Sequence, residues 1–227
     1  MNSIKPSKSY RVFQVFNTVL MILILFITLY PFVYLVAQSF SSDAAVSAGQ
    51  VTFFPVDFTL DTYKYLLKDD SFFKYYGNTI LYTVVGTLIS VIGTALLAYP
   101  LSKPRLRLNK FFTPFVVFTM YFTGGIIPNY ILVTQWLGLQ DSMLAIILPG
   151  AISTFNLLVM KSFFAGLPEE LEEAASIDGM GVYGIFVKII LPLSKPILAT
   201  MALFYMVGMW NEWFAPMMYL DLSLIHI

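Results

Sequence analysis

The chain carries few side chains that could do chemistry, and the most prominent group is Trp210, Asn211 and Glu212, inside a mostly apolar run. An ionisable residue within such a run is by default a hypothesis for a functional site, because burying a charge in hydrocarbon is costly. Indole rings stack on the C–H faces of sugars, while carboxylates and amides bond hydroxyl groups. The alternative is a belt of tryptophans at a membrane interface, since Pro216 and Asp221 lie close by.

A second pattern combines acidic, small and apolar residues at fixed offsets. It consists of E-A-A, three residues, Gly, nine residues and Ile-x-Leu-Pro, and lies within 166–196. At average residue frequencies it arises by chance about 10⁻⁸ times per start position. The positions that match it are Glu173, Ala174, Ala175, Gly179, Ile189, Leu191 and Pro192.

The acidic part of this segment predicts a short helix. Pro168 suits a first turn, and the glutamates that follow it complement the positive end of a helix dipole. Gly179 can end the helix in a left-handed turn. Leu171, Ala174, Ala175 and Asp178 have the spacing of one helix face, so the two alanines would let a partner approach closely. The alternative is an ordinary solvated face.

Other kinds of site are excluded by residue types. The chain contains no cysteine and one histidine, His226, so a thiolate or multi-histidine metal centre is impossible. No G-x-x-x-x-G-K-[ST] loop is present, so ATP chemistry is not expected in this chain. With Glu212 isolated, a catalytic pair within the apolar runs is not expected either, and we predict that the chain is not an enzyme.

Composition indicates a polytopic membrane protein. Hydrophobic residues make up 58% of the 227 residues and charged residues 11%, against about 25% charged in soluble domains. The formal net charge of zero disfavours a nucleic-acid partner. Runs without charge long enough to cross a bilayer predict an all-α fold with five transmembrane helices. We place these near 12–38, 78–101, 112–134, 143–164 and 196–219. The first is too long for a cleaved signal peptide and is expected to stay as an anchor.

Glycine and proline predict two breaks in these helices. Gly124, Gly125 and Pro128 should interrupt the third helix, and Pro149–Gly150 the fourth. Broken membrane helices often line a cavity, although neighbouring helices can also fill a kink. We therefore add four residues to the candidate substrate path of Trp210, Asn211 and Glu212. They are Gly124, Gly125, Asn129 and Asn156.

The distribution of Lys and Arg predicts a cytosolic N-terminus. Basic residues are concentrated in the N-terminal tail, in 103–110 and around the acidic segment, which places all three in the cytosol. Lys64, Lys68 and Lys74 oppose this orientation, but alternation of the other loops places 41–74 outside. That outer segment is rich in aromatic residues and has a capped helix start at Thr59, with an end near Leu67. It could lie at the headgroups or dock a soluble binding protein.

The E-A-A pattern resembles the EAA loop of ATP-binding-cassette (ABC) importer permeases. Further stretches are similar to the carbohydrate importer class, the maltose-permease-like proteins, and within it to the LplC/YtcP-type subgroup associated with oligosaccharides. These stretches are Tyr99-Pro-Leu-Ser-Lys103, Phe122-Thr-Gly-Gly-Ile-Ile-Pro-Asn-Tyr130 and Trp210-Asn-Glu-Trp-Phe214. The resemblance covers about residues 10–221 and implies a MetI-like fold of six helices, of which this chain would have five.

The resemblance also implies how the chain is organised. Residues 1–11 would be a cytosolic tail, 12–40 the first transmembrane helix, 41–74 an extracytoplasmic segment and 75–221 the permease core, with a coupling loop at 166–195. Residues 222–227 are expected to be a non-native or truncated end. Glu173, Ala174, Ala175, Asp178 and Gly179 would sit in a cleft of the ATPase. Ile189, Leu191 and Pro192 complete the coupling motif.

The implied function is the membrane subunit of an ABC importer for sugars, in particular oligosaccharides, that couples ATP hydrolysis elsewhere to alternating access. Its implied partners are a second homologous permease, two copies of an ABC ATPase, an extracytoplasmic solute-binding protein and the lipid of a bacterial cytoplasmic membrane. No cofactor is expected on this chain, since the ATPase uses ATP and Mg²⁺. The alternatives are an importer permease for amino acids or phosphonates and, less favoured, an ion-coupled secondary transporter.

Overall fold

The computed structural model describes residues 7–107 and 109–220 of the chain. Within that part the regular secondary structure is entirely helical, which confirms the predicted all-α class. The first six residues of the predicted tail lie outside the described residues. So do Asp221, His226 and the rest of the predicted end at 222–227.

The chain divides into two compact units, residues 1–72 and 73–227. The first contains helices α1 (Lys8–Ser39), α2 (Asp43–Ser47) and α3 (Asp61–Lys68). Ser7 caps α1, with its hydroxyl accepting the backbone N–H of Tyr10. The side chains of α1 are mostly exposed along its apolar length, as expected for a helix that faces lipid or a partner.

Buried hydrogen bonds order the segment after α1. Ser41 is 1% exposed, and its hydroxyl donates to the Ala37 carbonyl and accepts the N–H of Val56 at 3.0 Å. A small apolar cluster of Ala37, Ala45 and Val51 packs beside it. The predicted short helix is present as α3. Its N-cap is Leu60, which makes no side-chain cap, so the predicted cap at Thr59 is one residue early, although the Thr59 hydroxyl accepts the Asp61 N–H at 3.2 Å.

The second unit holds two long helices and several short ones. They are α4 (Asp70–Ser102), α5 (Asn109–Tyr121), α6 (Ile126–Ile131), α7 (Met143–Ile147), α8 (Thr154–Ala165), α9 (Glu169–Ile177), α10 (Val182–Ile185), α11 (Leu191–Leu193), α12 (Lys195–Trp210) and α13 (Phe214–Tyr219). A π-helical turn follows α6 at Leu132–Trp136, and a second joins α10 to α11 at Phe186–Ile190. The start of α4 at Asp70 is eight residues before the predicted 78.

Both predicted breaks are confirmed. The chain leaves the helical path after Tyr121, and α6 continues at 113° to α5. Gly125 makes this possible with a φ of +88°, a backbone conformation that residues with a Cβ rarely adopt. In the same way α7 ends before Pro149, and α8 begins only at Thr154.

The predicted count of five spans is not confirmed. In the described part, α1 and Ser71–Ser102 are long and apolar enough to cross a bilayer. Two bent pairs, α5 with Ile126–Trp136 and Val182–Leu193 with α12, raise the number to four if each is one span. The predicted helix at 143–164 is two pieces, and the predicted 196–219 helix ends at Trp210.

The core of the second unit joins α4, α8 and α12. Leu157, Met160 and Phe164 on α8 and Met201 on α12 are fully buried. At their centre the Tyr205 hydroxyl lies 2.7 Å from the Thr94 hydroxyl and accepts the backbone N–H of Ser153 at 3.0 Å. The Tyr205 hydroxyl of α12 therefore satisfies one polar group on α4 and one at the start of α8.

Candidate functional site

Helix α9 has well-formed ends. It begins directly after Pro168, and three of its glutamates lie in the first turn, where negative charge is favoured. At its other end, the N–H of Met180 donates to the Ala175 carbonyl at 2.9 Å and that of Gly179 to the Ser176 carbonyl at 3.1 Å. This is a Schellman motif, and Gly179 has the positive φ, +83°, that it requires. The predicted left-handed end is confirmed.

The two alanines of the motif face different surroundings. Ala174 is exposed, as are Glu173, Asp178 and Gly179. Ala175 is 6% exposed and belongs to the main apolar core. The prediction that both alanines lie on a face open to a partner is therefore wrong for Ala175. The two are consecutive, about 100° apart around the helix, so one faces out and the other into the bundle.

The second half of the motif packs against the same apolar core as α9. Ile189 and Leu191 are partly buried and pack against the same core as Ala175, whereas Pro192 is exposed. The π-helical turn Phe186–Ile190 buries both of its ends, Phe186 and Ile190. Apolar packing thus fixes the position of the acidic helix, and only part of the motif is open to another molecule.

A cleft of about 830 Å³ opens beside α9. Its walls are the end of α4, the loop 103–106, one side of α9 and the start of the following helix, α10. Tyr99 lines the cleft and packs against Phe186, with ring centroids 4.9 Å apart and the rings tilted by 34°. Opposite charges meet across it, since Lys103 contacts Glu172 and Arg105 contacts Glu173.

An apolar patch beside the acidic residues was not predicted from the sequence. Ile177, Val182 and Tyr183 are 86%, 66% and 84% exposed, and all three line the cleft. Exposed apolar patches rimmed by charge mark interaction surfaces. The available signal was three large apolar residues around Gly179 and Gly181, on a segment that the positive-inside rule places outside the bilayer.

Glu212 has a local structural role. Its carboxylate Oε1 accepts the N–H groups of Phe214 at 3.1 Å and Ala215 at 3.0 Å, which caps the start of α13. The chain is non-helical at Glu212 and Trp213, so the predicted continuous helix is interrupted there. Trp210 packs edge-on against Tyr76 of α4, with centroids 5.6 Å apart. The carboxylate and Trp210 remain exposed.

The remaining residues of the predicted substrate path fall in two places. Gly124, Gly125 and Asn129 lie at the exposed junction of α5 and α6. Asn156 is 6% exposed, on the buried face of α8. The Tyr130 ring, next to Asn129, stacks on Tyr219 of α13 at a centroid distance of 6.2 Å. The α5–α6 junction and the capped α12–α13 junction are thus linked through this aromatic pair.

No group of three or more His, Cys, Asp or Glu side chains that could hold a metal ion is found among the residues described.

Comparison with known proteins identifies a protein family that this chain matches. The model of the family described as "Binding-protein-dependent transport system inner membrane component" matches residues 95–221. Protein LplC of Bacillus subtilis (strain 168) is 43% identical over 221 residues, which is 97% of this chain and 75% of that protein. The polygalacturonan/rhamnogalacturonan transport system permease protein YtcP of the same organism is 40% identical over 93% of this chain and 73% of its own length.

A solved structure is also similar. A chain in the crystal structure of a bacterial ABC transporter involved in the import of the acidic polysaccharide alginate has a TM-score of 0.91 and 38% sequence identity. The match covers 98% of this chain and 79% of that one.

Proposed function

Because the chain belongs to the family of inner membrane components of binding-protein-dependent transport systems, we propose that it is the membrane-spanning subunit of an ABC importer for sugars. The observation that carries this proposal is the similarity, along nearly the whole chain, to YtcP and to a chain of the alginate importer. Both are named for polymers of sugar acids, so we propose acidic oligosaccharides as the first substrates to test.

The subunit lies in a bacterial cytoplasmic membrane with its N-terminus in the cytosol. We count α5 with Ile126–Trp136 as one span, α7 with α8 as another and α12 as a third, which gives five with α1 and α4. The cluster of Lys103, Arg105, Arg107 and Lys110 supports a cytosolic position for the loop after α4. The coupling loop 166–195 then also lies in the cytosol, and 41–74 lies outside.

We propose that α9 docks onto a separate ATPase, which binds ATP and Mg²⁺. The exposed residues Glu173, Ala174, Asp178 and Gly179 would enter its cleft, while Ala175, Ile189 and Leu191 hold the helix in place. Tyr183, with Ile177 and Val182, would add an apolar anchor, since exposed tyrosines are frequent centres of binding energy. Two ATPase copies, a second permease and a solute-binding protein complete the proposed importer.

The substrate path is proposed to pass Trp210, Asn211 and Glu212, the α5–α6 junction and Asn156. The exposed indole and carboxylate support it, because both are suited to bind sugar rings and hydroxyls.

Substitutions at Glu212 and Trp210 should separate sugar binding from the capping of α13. Glu212→Asp keeps an acceptor that can cap α13 but withdraws the carboxylate by one methylene, and Trp210→Ala removes the ring without touching the cap. We expect both to reduce sugar uptake about tenfold, with the ATPase still bound to the complex. Uptake by reconstituted vesicles and ATPase retention measure the two properties. Wild-type uptake in both variants would remove these residues from the path.

Uptake by the full complex tests the function itself. Vesicles containing this subunit, its partner permease, the ATPase and the binding protein should accumulate labelled oligogalacturonides in an ATP-dependent manner. Neutral oligosaccharides, an amino acid and a phosphonate are the comparison solutes. ATP-driven accumulation of the amino acid or the phosphonate, with none of any sugar, would overturn the sugar assignment while leaving the importer architecture intact.

A further inference from the structure

The most buried ion pair described in the structure joins α9 to the end of α4. The ammonium of Lys103 contacts Oε1 of Glu172, and the Tyr99 hydroxyl donates to Oε2 of the same carboxylate at 3.3 Å. The two charged side chains are 20% and 18% exposed. Tyr99 itself is 8% exposed and packs on Phe164 and Phe186. Glu172 therefore faces the cleft between α9 and the end of α4, where both of its oxygens are engaged by groups of the same subunit.

A neighbouring ion pair provides a contrast. Arg105 contacts Glu173 at 2.9 Å, but these side chains are 79% and 56% exposed. Exposed pairs contribute little to stability because water and salt screen them, whereas removing one partner of a largely buried pair leaves a charge that is poorly solvated. Consecutive glutamates of α9 thus differ: Glu173 is available to another protein and Glu172 is held within this one.

The link continues beyond Lys103 through hydrogen bonds. The Asn109 amide donates to the carbonyls of Leu101, at 2.9 Å, and Lys103, at 3.2 Å, and its oxygen accepts from the Thr113 hydroxyl at 2.7 Å. Lys161 of α8 in turn donates to the Thr113 hydroxyl at 2.9 Å. The ends of α4, α5 and α8 are therefore joined to α9 by one polar chain that passes through Lys103.

We propose that Glu172 and Lys103 are the positioning residues that fix α9 to the end of α4, so that a displacement of α9 is passed to the membrane bundle. This inference rests on the proposed docking of α9 onto an ATPase. Apolar packing places α9 against the core, and the ion pair adds directional contacts that apolar packing, being non-directional, does not supply. A partly buried carboxylate held by one donor near the end of α4, Tyr99, and one directly after it, Lys103, fixes the position and orientation of α9.

Charge removal tests the proposal through the ratio of sugar taken up to ATP hydrolysed. Lys103→Met and Glu172→Gln should lower this ratio at least about tenfold, with ATP hydrolysis continuing. Exchanging the two residues, Lys103→Glu with Glu172→Lys, should restore much of it. Lys110→Met, the same chemical change at an exposed position seven residues further on, should leave the ratio unchanged. A purely structural role would lower uptake and hydrolysis in parallel.

A wild-type ratio in both single variants would overturn the proposal. So would failure of both single variants to assemble with the ATPase, because the pair would then serve folding alone. An exchanged variant that transports no better than the single ones would also contradict it.

Cross-linking tests the same idea without relying on lost function. The chain has no cysteine, so Lys103→Cys with Glu172→Cys creates a unique pair. A short, reducible bis-methanethiosulfonate reagent that joins them should restore the ratio of uptake to hydrolysis, because the two positions move as one body. Transport blocked by the bridge and regained on reduction would overturn the proposal, since α9 would then have to move relative to α4.

A further variant keeps this inference separate from the docking proposal. Ala174→Cys, carrying a photoreactive thiol label, should capture the ATPase in the assembled complex. If it does not, the docking role of α9 fails. If it does, and the Lys103 and Glu172 variants keep a wild-type ratio, only the positioning role fails.

Discussion

Replacing Gly179 by valine is expected to abolish the stimulation of ATP hydrolysis by the loaded solute-binding protein. The φ of +83° at this residue costs a residue with a Cβ about 1–2 kcal/mol, and a β-branched residue more. Relieving that strain breaks the Schellman hydrogen bonds of Gly179 and Met180 and redirects the chain into α10. The measurement is ATPase activity of the purified complex with and without the binding protein and sugar.

Gly179→Asn is the matched control. Asparagine tolerates the left-handed conformation, and no atom lies within 4 Å of where a Cβ would be added. In the isolated subunit the asparagine variant should therefore keep the backbone. If ATP hydrolysis is still stimulated in Gly179→Asn but not in Gly179→Val, Gly179 is required for the left-handed turn that ends α9. If stimulation is lost in both variants, the ATPase surface lies directly against residue 179. Full stimulation in Gly179→Val would contradict the proposed role of the turn.

The second large effect is expected at the adjacent alanines. Ala174→Trp should prevent the ATPase from binding while the subunit remains inserted and folded, because Ala174 is exposed and the new ring would occupy the docking face. Ala175→Trp should instead reduce the amount of folded subunit, since that residue is 6% exposed in the core and overpacking costs about 1–3 kcal/mol.

Two measurements separate these outcomes: the amount of monodisperse subunit extracted from membranes, and the amount of ATPase that co-purifies with it. Ala174→Ser, which adds only a hydroxyl, should behave as the wild type in both. Normal ATPase retention in Ala174→Trp would show that this face of α9 is not the docking surface.

Local features of the fold were predictable where a residue type restricts the backbone. Gly125 and Pro149 interrupt apolar runs, and Gly179 ends α9, because the conformations they favour or forbid are properties of single residues. The break at Glu212 was not predicted. Its signal was present, since an acidic residue followed by Pro216 within one turn resembles a helix start, but the apolar run on both sides masked it.

Contacts between residues far apart in the chain could not be predicted from the sequence. Lys103 and Glu172 are 69 positions apart, and nothing in the spacing of charges distinguishes Glu172 from Glu173. The inward orientation of Ala175 depends on how α9 is rotated against the core, which is decided by the packing of Phe186 and Ile190. The motif therefore located α9, the proposed docking helix, but which of its residues are open to a partner could be read only from their burial.

The length of α4 has a mechanical consequence. Its 33 residues make a rod about 50 Å long, about 20 Å more than the hydrocarbon thickness of a bilayer. One end carries Tyr99, beneath α9, and the other carries Tyr76, against Trp210. Under the proposed docking of α9, we expect this rod to act as a lever arm, so that a small angular change where it meets α9 becomes a larger sideways displacement at its other end.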